Sequence, residues 1–126
     1  MNIPALVEAA LAARENAYAP YSGFRVGAAL LTLDGEIITG VNVENASYGA
    51  TCCAERNAIF SAMTRGLRQF KAIAVASDLD GPTFPCGICR QVIAEFKIPE
   101  IIVSDKYGNY NIYRAEELMP HAFTEF

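Results

Sequence analysis

The chain has little positive charge and no long apolar run. It carries 10 Lys and Arg residues against 14 Asp and Glu residues, and the basic residues form no cluster. Proteins that bind duplex nucleic acid neutralise phosphates with a basic face, so this balance argues against such a partner. The N-terminal segment has no basic start, and Glu8 and Arg14 interrupt its apolar side chains. We therefore expect neither a secretory signal nor a membrane span, and we expect a cytoplasmic protein.

Repeats, low-complexity segments and linker-like stretches are also lacking. A chain of 126 residues with ample apolar side chains can bury one hydrophobic core. We therefore expect a single domain over residues 1–126. The one histidine of the sequence, His121, lies in the C-terminal tail, where we expect it to be exposed.

Helical and strand patterns alternate along the chain. Asp34-Gly35 is a two-residue hairpin signal between two strand-like runs, and Ile88, Val92 and Phe96 mark one face of a later helix. The predicted order is α-β-β-α-β-α-β-β-α, which fits one sheet between helices in an α/β fold. The predicted ranges are a helix at 4–18, strands at 25–33 and 36–43, a helix at 51–65, a strand at 71–77, a helix at 88–96, strands at 100–105 and 110–114, and a helix at 115–120.

The four cysteines form two pairs, Cys52 with Cys53 and Cys86 with Cys89. In a reducing compartment stable disulfides are rare, and clustered cysteines more often bind a metal or do chemistry. Both pairs fall where a predicted helix begins, and there the free backbone N–H groups and the helix dipole stabilise thiolates. Metal binding is therefore the favoured interpretation.

Cys53 and Glu55 can share one site only if Cys53 precedes the regular helix, because residues two apart point to different sides of it. Thr51 is the predicted N-cap, which makes this geometry available. Three thiolates leave one position of a tetrahedral zinc site open, as catalytic rather than structural zinc requires. Glu55 would then manage the protons of a water molecule at the open position.

Two other classes of protein remain open at this point. A structural zinc module would need four protein ligands and would leave Glu55 without a role. A thiol redox protein would also give no reason for Glu55. Cys52 is expected to be a small buried residue or a spare thiol rather than a ligand.

Four segments in order resemble motifs of the small cytidine deaminases of nucleoside salvage. Zinc nucleobase deaminases carry His or Cys followed by x-Glu, and later Pro-Cys-x-x-Cys. This chain has the three-cysteine version, "CAE" at 53–55 with "PCGIC" at 85–89. The resembling segments are "YAPYSGFRVGAAL", "GVNVENASY", "CAERNAI" and "PCGICRQV". The resemblance covers nearly the whole chain and implies a three-layer α-β-α cytidine deaminase-like fold with a mixed five-stranded sheet, assembled as a homotetramer.

The resemblance also implies roles for individual residues. One zinc ion per subunit would be held by Cys53, Cys86 and Cys89, with Glu55 as the catalytic proton shuttle. Arg56 is the candidate for offsetting the charge of the thiolates, since a guanidinium can donate hydrogen bonds to sulfur. For substrate binding, the resemblance implies that Phe24 packs on the base and that the Ala54 backbone and Glu55 contact the pyrimidine. It implies that Asn42 and Glu44 bind the sugar 3′-hydroxyl. Tyr48 and Phe123 would reach the pocket of a neighbouring subunit.

The implied reaction is the hydrolysis of cytidine and 2′-deoxycytidine to uridine and 2′-deoxyuridine with release of ammonia, in pyrimidine salvage. Glu55 would move protons from the attacking water to N3 of the base and to the departing amine. The alternative within enzymes is a deaminase of a modified cytosine nucleoside such as blasticidin S, which a substrate assay separates. A small-molecule nucleoside is the expected partner, with no nucleic acid and no membrane.

Overall fold

The computed structural model describes residues 1–125. Within that range the predicted order of elements is found, with one short 3-10 helix added before the second α-helix. The elements are α1 (Ile3–Arg14), β1 (Val26–Thr32), β2 (Ile37–Val41), the 3-10 helix (Tyr48–Ala50), α2 (Ala54–Thr64), β3 (Phe70–Ser77), α3 (Gly87–Glu95), β4 (Glu100–Ser104), β5 (Tyr110–Arg114) and α4 (Ala115–Leu118). In the same range no helix has the length and apolarity needed to cross a membrane.

Within residues 1–125 the strands form one five-stranded mixed sheet in the order β2-β1-β3-β4-β5. β3 and β4 are parallel and are connected through α3, whereas the other neighbouring strands are antiparallel. Helix α1 packs on one face of the sheet, and α2, α3 and α4 pack on the other. This arrangement confirms the predicted α/β fold with a three-layer α-β-α architecture.

The turn between β1 and β2 differs from the predicted two-residue loop. Thr32 N donates to Glu36 O at 2.9 Å, and Gly35 N donates to Thr32 O at 3.0 Å. The loop therefore has three residues, Leu33, Asp34 and Gly35. Gly35 has a φ of 92°, a conformation that glycine adopts at little cost and that closes three-residue hairpins.

Helix α1 ends at Arg14, four residues before the predicted end at Tyr18. Tyr18 instead pairs with the segment after β2: its N–H donates to Asn42 O at 2.9 Å, and its carbonyl accepts from Glu44 N at 2.8 Å. Backbone groups engaged in this bridge cannot also continue a helix. The segment after α1 is thereby tied to the residues that follow β2.

Helix α2 begins at Ala54, and Cys53 is its N-cap, so the predicted N-cap Thr51 is wrong. Cys52 forms an antiparallel bridge with Val43, and both N–H···O distances of this bridge are 3.0 Å. The Thr51 hydroxyl accepts a hydrogen bond from Asn45 N at 3.1 Å rather than capping the helix. Tertiary pairing of the preceding chain therefore sets the helix start.

Helix α3 buries a different face from the predicted one. Cys89 and Ile93 are fully buried, Val92 and Phe96 are half-buried, and Ile88 is 62% exposed. The buried stripe is displaced by one position because Ile93 packs in the core against the sheet and Cys89 turns to the other cysteines. His121 is exposed, as expected.

Helix α2 approaches the sheet closely because both surfaces carry small residues. Ala54, Ala58 and Ala62 recur every four residues and are fully buried. Opposite them lies Gly40 of β2, where a Cβ would come within 2.4 Å of Ala58 N and 2.5 Å of Ala54 O. The helix that Cys53 caps is thus held against β2 at backbone distance.

Candidate active site

Three cysteine sulfurs meet where α2 and α3 begin. Cys53 is the N-cap of α2, Cys86 is the N-cap of α3, and Cys89 lies in the first turn of α3. The three Sγ atoms lie within 4.8 Å of one another, and Cys53 Sγ is 3.7 Å from Cys86 Sγ. The backbone of Cys52 is paired with Val43, and within residues 1–125 Cys52 is not part of this cluster.

The geometry and chemistry of the cluster fit zinc. Zinc–sulfur bonds of about 2.3 Å in a tetrahedral site place the sulfurs about 3.8 Å apart. The Cys53–Cys86 separation already matches that value. Both helices also direct the positive ends of their dipoles at the cluster, which favours thiolates. Three protein sulfurs leave one tetrahedral position for a further ligand, as in catalytic zinc sites.

The thiols of Cys53 and Cys89 cannot both ionise easily without a cation. The pKa of Cys53 is lowered to about 5, mainly by a hydrogen bond with Cys89 and to a smaller extent by one with Arg56. The same Cys53–Cys89 contact, together with burial, raises the pKa of Cys89. A bound cation is what would allow all of the sulfurs to coordinate as thiolates.

Glu55 lies in the first turn of α2, beside the sulfur cluster, and is 4% exposed. Burial raises the pKa of its carboxyl group to about 7. A carboxyl group that is half-protonated near neutral pH can both accept and deliver a proton. Its position and its pKa are those of a general acid–base group.

Arg56 follows Glu55 and turns its guanidinium to the cluster. Its Nη2 donates to Cys53 Sγ at 3.4 Å, and this contact is the first cause of a raised pKa for the arginine. Its buried Nε has no hydrogen-bond partner among residues 1–125. The guanidinium supplies a positive charge next to three sulfurs, which is what offsetting thiolate charge requires.

A cavity of about 340 Å³ opens beside the cluster. Its volume lies in the range of about 300–1,000 Å³ typical of small-molecule sites. The predicted site residues that line it are Phe24, Asn42, Glu44, Cys53, Ala54, Glu55 and Cys86. The cysteine sulfurs and the carboxylate of Glu55 therefore line the same cavity as the aromatic and polar residues that are expected to bind the substrate.

Asn42 and Glu44 also line this cavity, and both side chains form hydrogen bonds with neighbouring segments of the chain. Asn42 Nδ2 donates to Phe24 O at 2.8 Å, and Asn42 Oδ1 accepts from Val26 N at 2.9 Å. The Glu44 carboxylate accepts from the backbone of the loop that precedes Phe24. These two side chains hold the wall in place as well as presenting polar atoms to the cavity.

Tyr48 and Phe123 do not line this cavity within the described chain. Tyr48 is 77% exposed and lies against Tyr21, with 6.1 Å between ring centroids. Phe123 is 64% exposed, and its backbone exchanges hydrogen bonds with the Gln91 side chain. Both residues are thus largely exposed, and Tyr48 lines an adjoining cavity that shares Ser22, Glu44 and Thr51 with this one.

Five further residues line the cavity that sequence reasoning did not single out. They are Ser22, Val26, Thr51, Thr83 and Phe84. Thr83 and Phe84 stand directly before Pro85-Cys86, so their nearness to a ligand cysteine was a usable signal. Thr51 likewise stands two residues before Cys53. Ser22 and Val26 carry no such signal, because they reach the cavity through the folding of β1 and of the loop before it.

The sulfur cluster with its neighbouring acid–base group has the chemistry of a zinc-dependent hydrolase. The chain belongs to the cytidine and deoxycytidylate deaminase family: residues 2–105 match the family described as "Cytidine and deoxycytidylate deaminase zinc-binding region". This membership and the sulfur cluster confirm zinc as the cofactor.

Individual relatives agree with the family assignment. A cytidine deaminase from Halalkalibacterium halodurans is 50% identical over 121 residues, which cover 94% of this chain and 92% of that protein. The crystal structure of a cytidine deaminase from Burkholderia pseudomallei is 53% identical and superposes with a TM-score of 0.93, covering 98% of this chain and 100% of that one. A blasticidin-S deaminase from Bacillus cereus is 33% identical, covering 79% of this chain and 76% of that protein.

Proposed function

We propose that this chain catalyses the zinc-dependent hydrolysis of cytidine and 2′-deoxycytidine to uridine and 2′-deoxyuridine, with release of ammonia. The observation that carries the proposal is the joining of the three-sulfur cluster and buried Glu55 to one cavity. Relatives about 50% identical over nearly their full length are named cytidine deaminases, which supports the same substrate class.

Cys53, Cys86 and Cys89 hold the metal, which when bound supplies a Lewis acid that makes water nucleophilic at neutral pH. Glu55 accepts a proton from the attacking water and delivers it to N3 of the cytosine ring. The water oxygen bonds to C4, and Glu55 then carries the second proton of that water to the amine, so that the C4–N bond breaks and ammonia leaves. Its pKa of about 7 suits both directions of transfer. Arg56 balances the charge of the thiolates through its contact with Cys53.

The other residues that line the cavity bind the rest of the nucleoside. The Phe24 ring packs on the base, and the backbone of Ala54, at the start of α2, contacts the pyrimidine. Asn42 and Glu44 bind the sugar 3′-hydroxyl, which both donates and accepts hydrogen bonds. Aromatic and polar groups on one wall suit a molecule with a flat base and a hydroxylated sugar.

We also propose the setting in which the enzyme works. It is a cytoplasmic homotetramer of pyrimidine salvage, and Tyr48 and Phe123 of one subunit complete the pocket of another. Both rings are exposed in one chain and stand outside its cavity, which supports this assembly.

The test is an assay of purified protein for zinc content and for ammonia release from cytidine, 2′-deoxycytidine and blasticidin S. We expect about one zinc per chain and turnover of both cytosine nucleosides. If the protein strongly prefers blasticidin S, the proposed substrate is wrong but the proposed reaction, a zinc-dependent deamination, still holds. Zinc-containing protein that releases no ammonia from any of the three would contradict the proposal.

A further inference from the structure

The loop from Tyr21 to Phe24 encloses the carboxylate of Glu44. Glu44 Oε1 accepts from Tyr21 N at 2.9 Å and from Ser22 N at 3.0 Å. The Ser22 hydroxyl donates to Glu44 Oε2. Three donor groups of two consecutive residues, Tyr21 and Ser22, thus converge on one carboxylate that lines the cavity.

Counting acceptor positions shows how much of this carboxylate remains for a ligand. A carboxylate offers about four lone-pair positions, two on each oxygen. The two backbone N–H groups occupy both positions on Oε1, and the Ser22 hydroxyl occupies one on Oε2. With respect to residues 1–125, one position on Oε2 is left, so Glu44 can accept from a single sugar hydroxyl. Gripping a vicinal diol would require two.

The Ser22 hydroxyl is itself held in place. While it donates to Glu44, its oxygen accepts from Phe24 N at 3.0 Å. On the far side of Phe24, Asn42 holds the Phe24 carbonyl at 2.8 Å. Ser22 therefore connects the sugar-binding carboxylate with the backbone of the residue that packs on the base. The hydrogen bond from its hydroxyl is also the first cause of a lowered pKa for Glu44.

We propose that Ser22 is a positioning residue that directs the remaining acceptor position of Glu44 at one sugar hydroxyl. This inference rests on the proposed nucleoside deaminase function, and it deepens it by naming what makes the sugar site selective. It has two consequences for substrates. The 3′-hydroxyl is required, because it fills the one position. Glu44 does not bind the 2′-hydroxyl, because its carboxylate offers no second position.

The test compares the parent with Ser22→Ala and Ser22→Thr on cytidine, 2′-deoxycytidine and 3′-deoxycytidine. In Ser22→Ala we expect KM for the first two substrates to rise about tenfold with kcat within about twofold, since Glu55 is untouched. With 3′-deoxycytidine, which lacks the group that Glu44 reads, Ser22→Ala should leave kcat/KM unchanged. Ser22→Thr keeps the hydroxyl and should stay within about threefold of the parent on every substrate.

A matched control is Ser61→Ala, an exposed serine on α2, which should behave as the parent. Zinc content and thermal unfolding of each variant establish that the fold is intact. An equal penalty of Ser22→Ala with and without the 3′-hydroxyl, or no penalty at all, would overturn the inference, as would a Ser22→Thr variant as impaired as Ser22→Ala. A parent enzyme that releases ammonia from cytidine but fails this pattern refutes Ser22 positioning alone. A parent with no activity on cytidine refutes the proposed function.

Discussion

At the scale of single residues, the adjacent cysteines 52 and 53 differ because one is paired with another segment and the other caps a helix. Cys52 N and O bond to Val43, and successive side chains of such an extended segment point to opposite sides. Cys53, one position further, therefore turns to Cys86 and Cys89. Burial also raises the pKa of Cys52, so its thiol is the less able of the two to ligate as a thiolate.

This difference predicts the metal content of cysteine variants. Cys53→Ala, Cys86→Ala and Cys89→Ala should each lose zinc, because two sulfurs make a much weaker site than three. Cys52→Ala should retain about one zinc per chain and near-parental turnover. Elemental analysis of the four purified variants is the measurement. Zinc loss confined to Cys52→Ala would contradict the ligand assignment.

Glu55 is predicted to separate metal binding from catalysis. Glu55→Gln keeps the shape of the buried side chain but cannot exchange protons, so zinc should stay bound while kcat falls. General acid–base catalysis contributes about 10²–10⁴-fold, and we expect a loss of that order. Glu8→Gln, on the opposite face of the sheet, is the control for charge removal alone. Turnover by Glu55→Gln within a few-fold of the parent would show that another group moves the protons.

Sequence reasoning reaches the residues whose partners are local and misses those whose partners are distant. Cys86 and Cys89 follow from spacing, because residues three apart in a helical turn face the same way. Cys53 and Glu55 can share a site only because Cys53 precedes α2 as its N-cap. The hydrogen bond between Ser22 and Glu44 joins positions 22 residues apart, and no spacing rule indicates it. It arises because Tyr18 pairs with the segment after β2 and brings the two loops together.

At the scale of elements, the docking of α2 on β2 places half of the site. The helix carries Cys53 and Glu55, and its alanine stripe lies on Gly40 at backbone distance. The alanine periodicity predicts which face is buried. How close the helix comes to the sheet depends on Gly40, which the sequence shows only as a glycine within a strand pattern. The predicted helix start at Thr51 was wrong for a related reason, since the bridge of Cys52 with Val43 overrides the local capping signal.

Gly40→Ala should therefore disturb the site from a distance. The added Cβ would meet Ala58 N at 2.4 Å and Ala54 O at 2.5 Å, so α2 has to move away from the sheet. Overpacking of this kind costs about 1–3 kcal/mol or more, because backbone cannot yield as a flexible side chain does. We expect a lower thermal unfolding midpoint together with weaker zinc retention. Gly81→Ala, where a Cβ meets nothing within 4 Å, should change neither, and equal effects of the two variants would argue against the close-packing account.

At the scale of the whole molecule, topology was the more predictable part and assembly the less. The hairpin signal indicates that β1 pairs with β2, as the structure has it. A helix that connects two neighbouring strands favours a parallel pair, which is found for β3 and β4. Subunit contacts leave no comparable pattern in one sequence. The exposed rings of Tyr48 and Phe123 become informative only once the structure places them outside the cavity that they are proposed to serve.

The final prediction concerns that assembly. Light scattering should give a mass about four times that of the 13.7 kDa chain, and Phe123→Ala should raise KM while leaving the mass unchanged. Cutting the chain before Phe123 removes its ring and two exposed hydrogen bonds with the Gln91 side chain, so it should affect substrate binding more than unfolding. The decisive measurement uses mixed assemblies. Phe123→Ala chains keep Glu55 but lack the ring, whereas Glu55→Gln chains keep the ring but lack the proton shuttle. If Phe123 enters a neighbour's pocket, the two co-expressed variants should form some complete pockets and turn over cytidine faster than the average of the two variants assayed separately. Activity equal to the average of the two, or a fully active monomer, would show that each chain serves its own pocket.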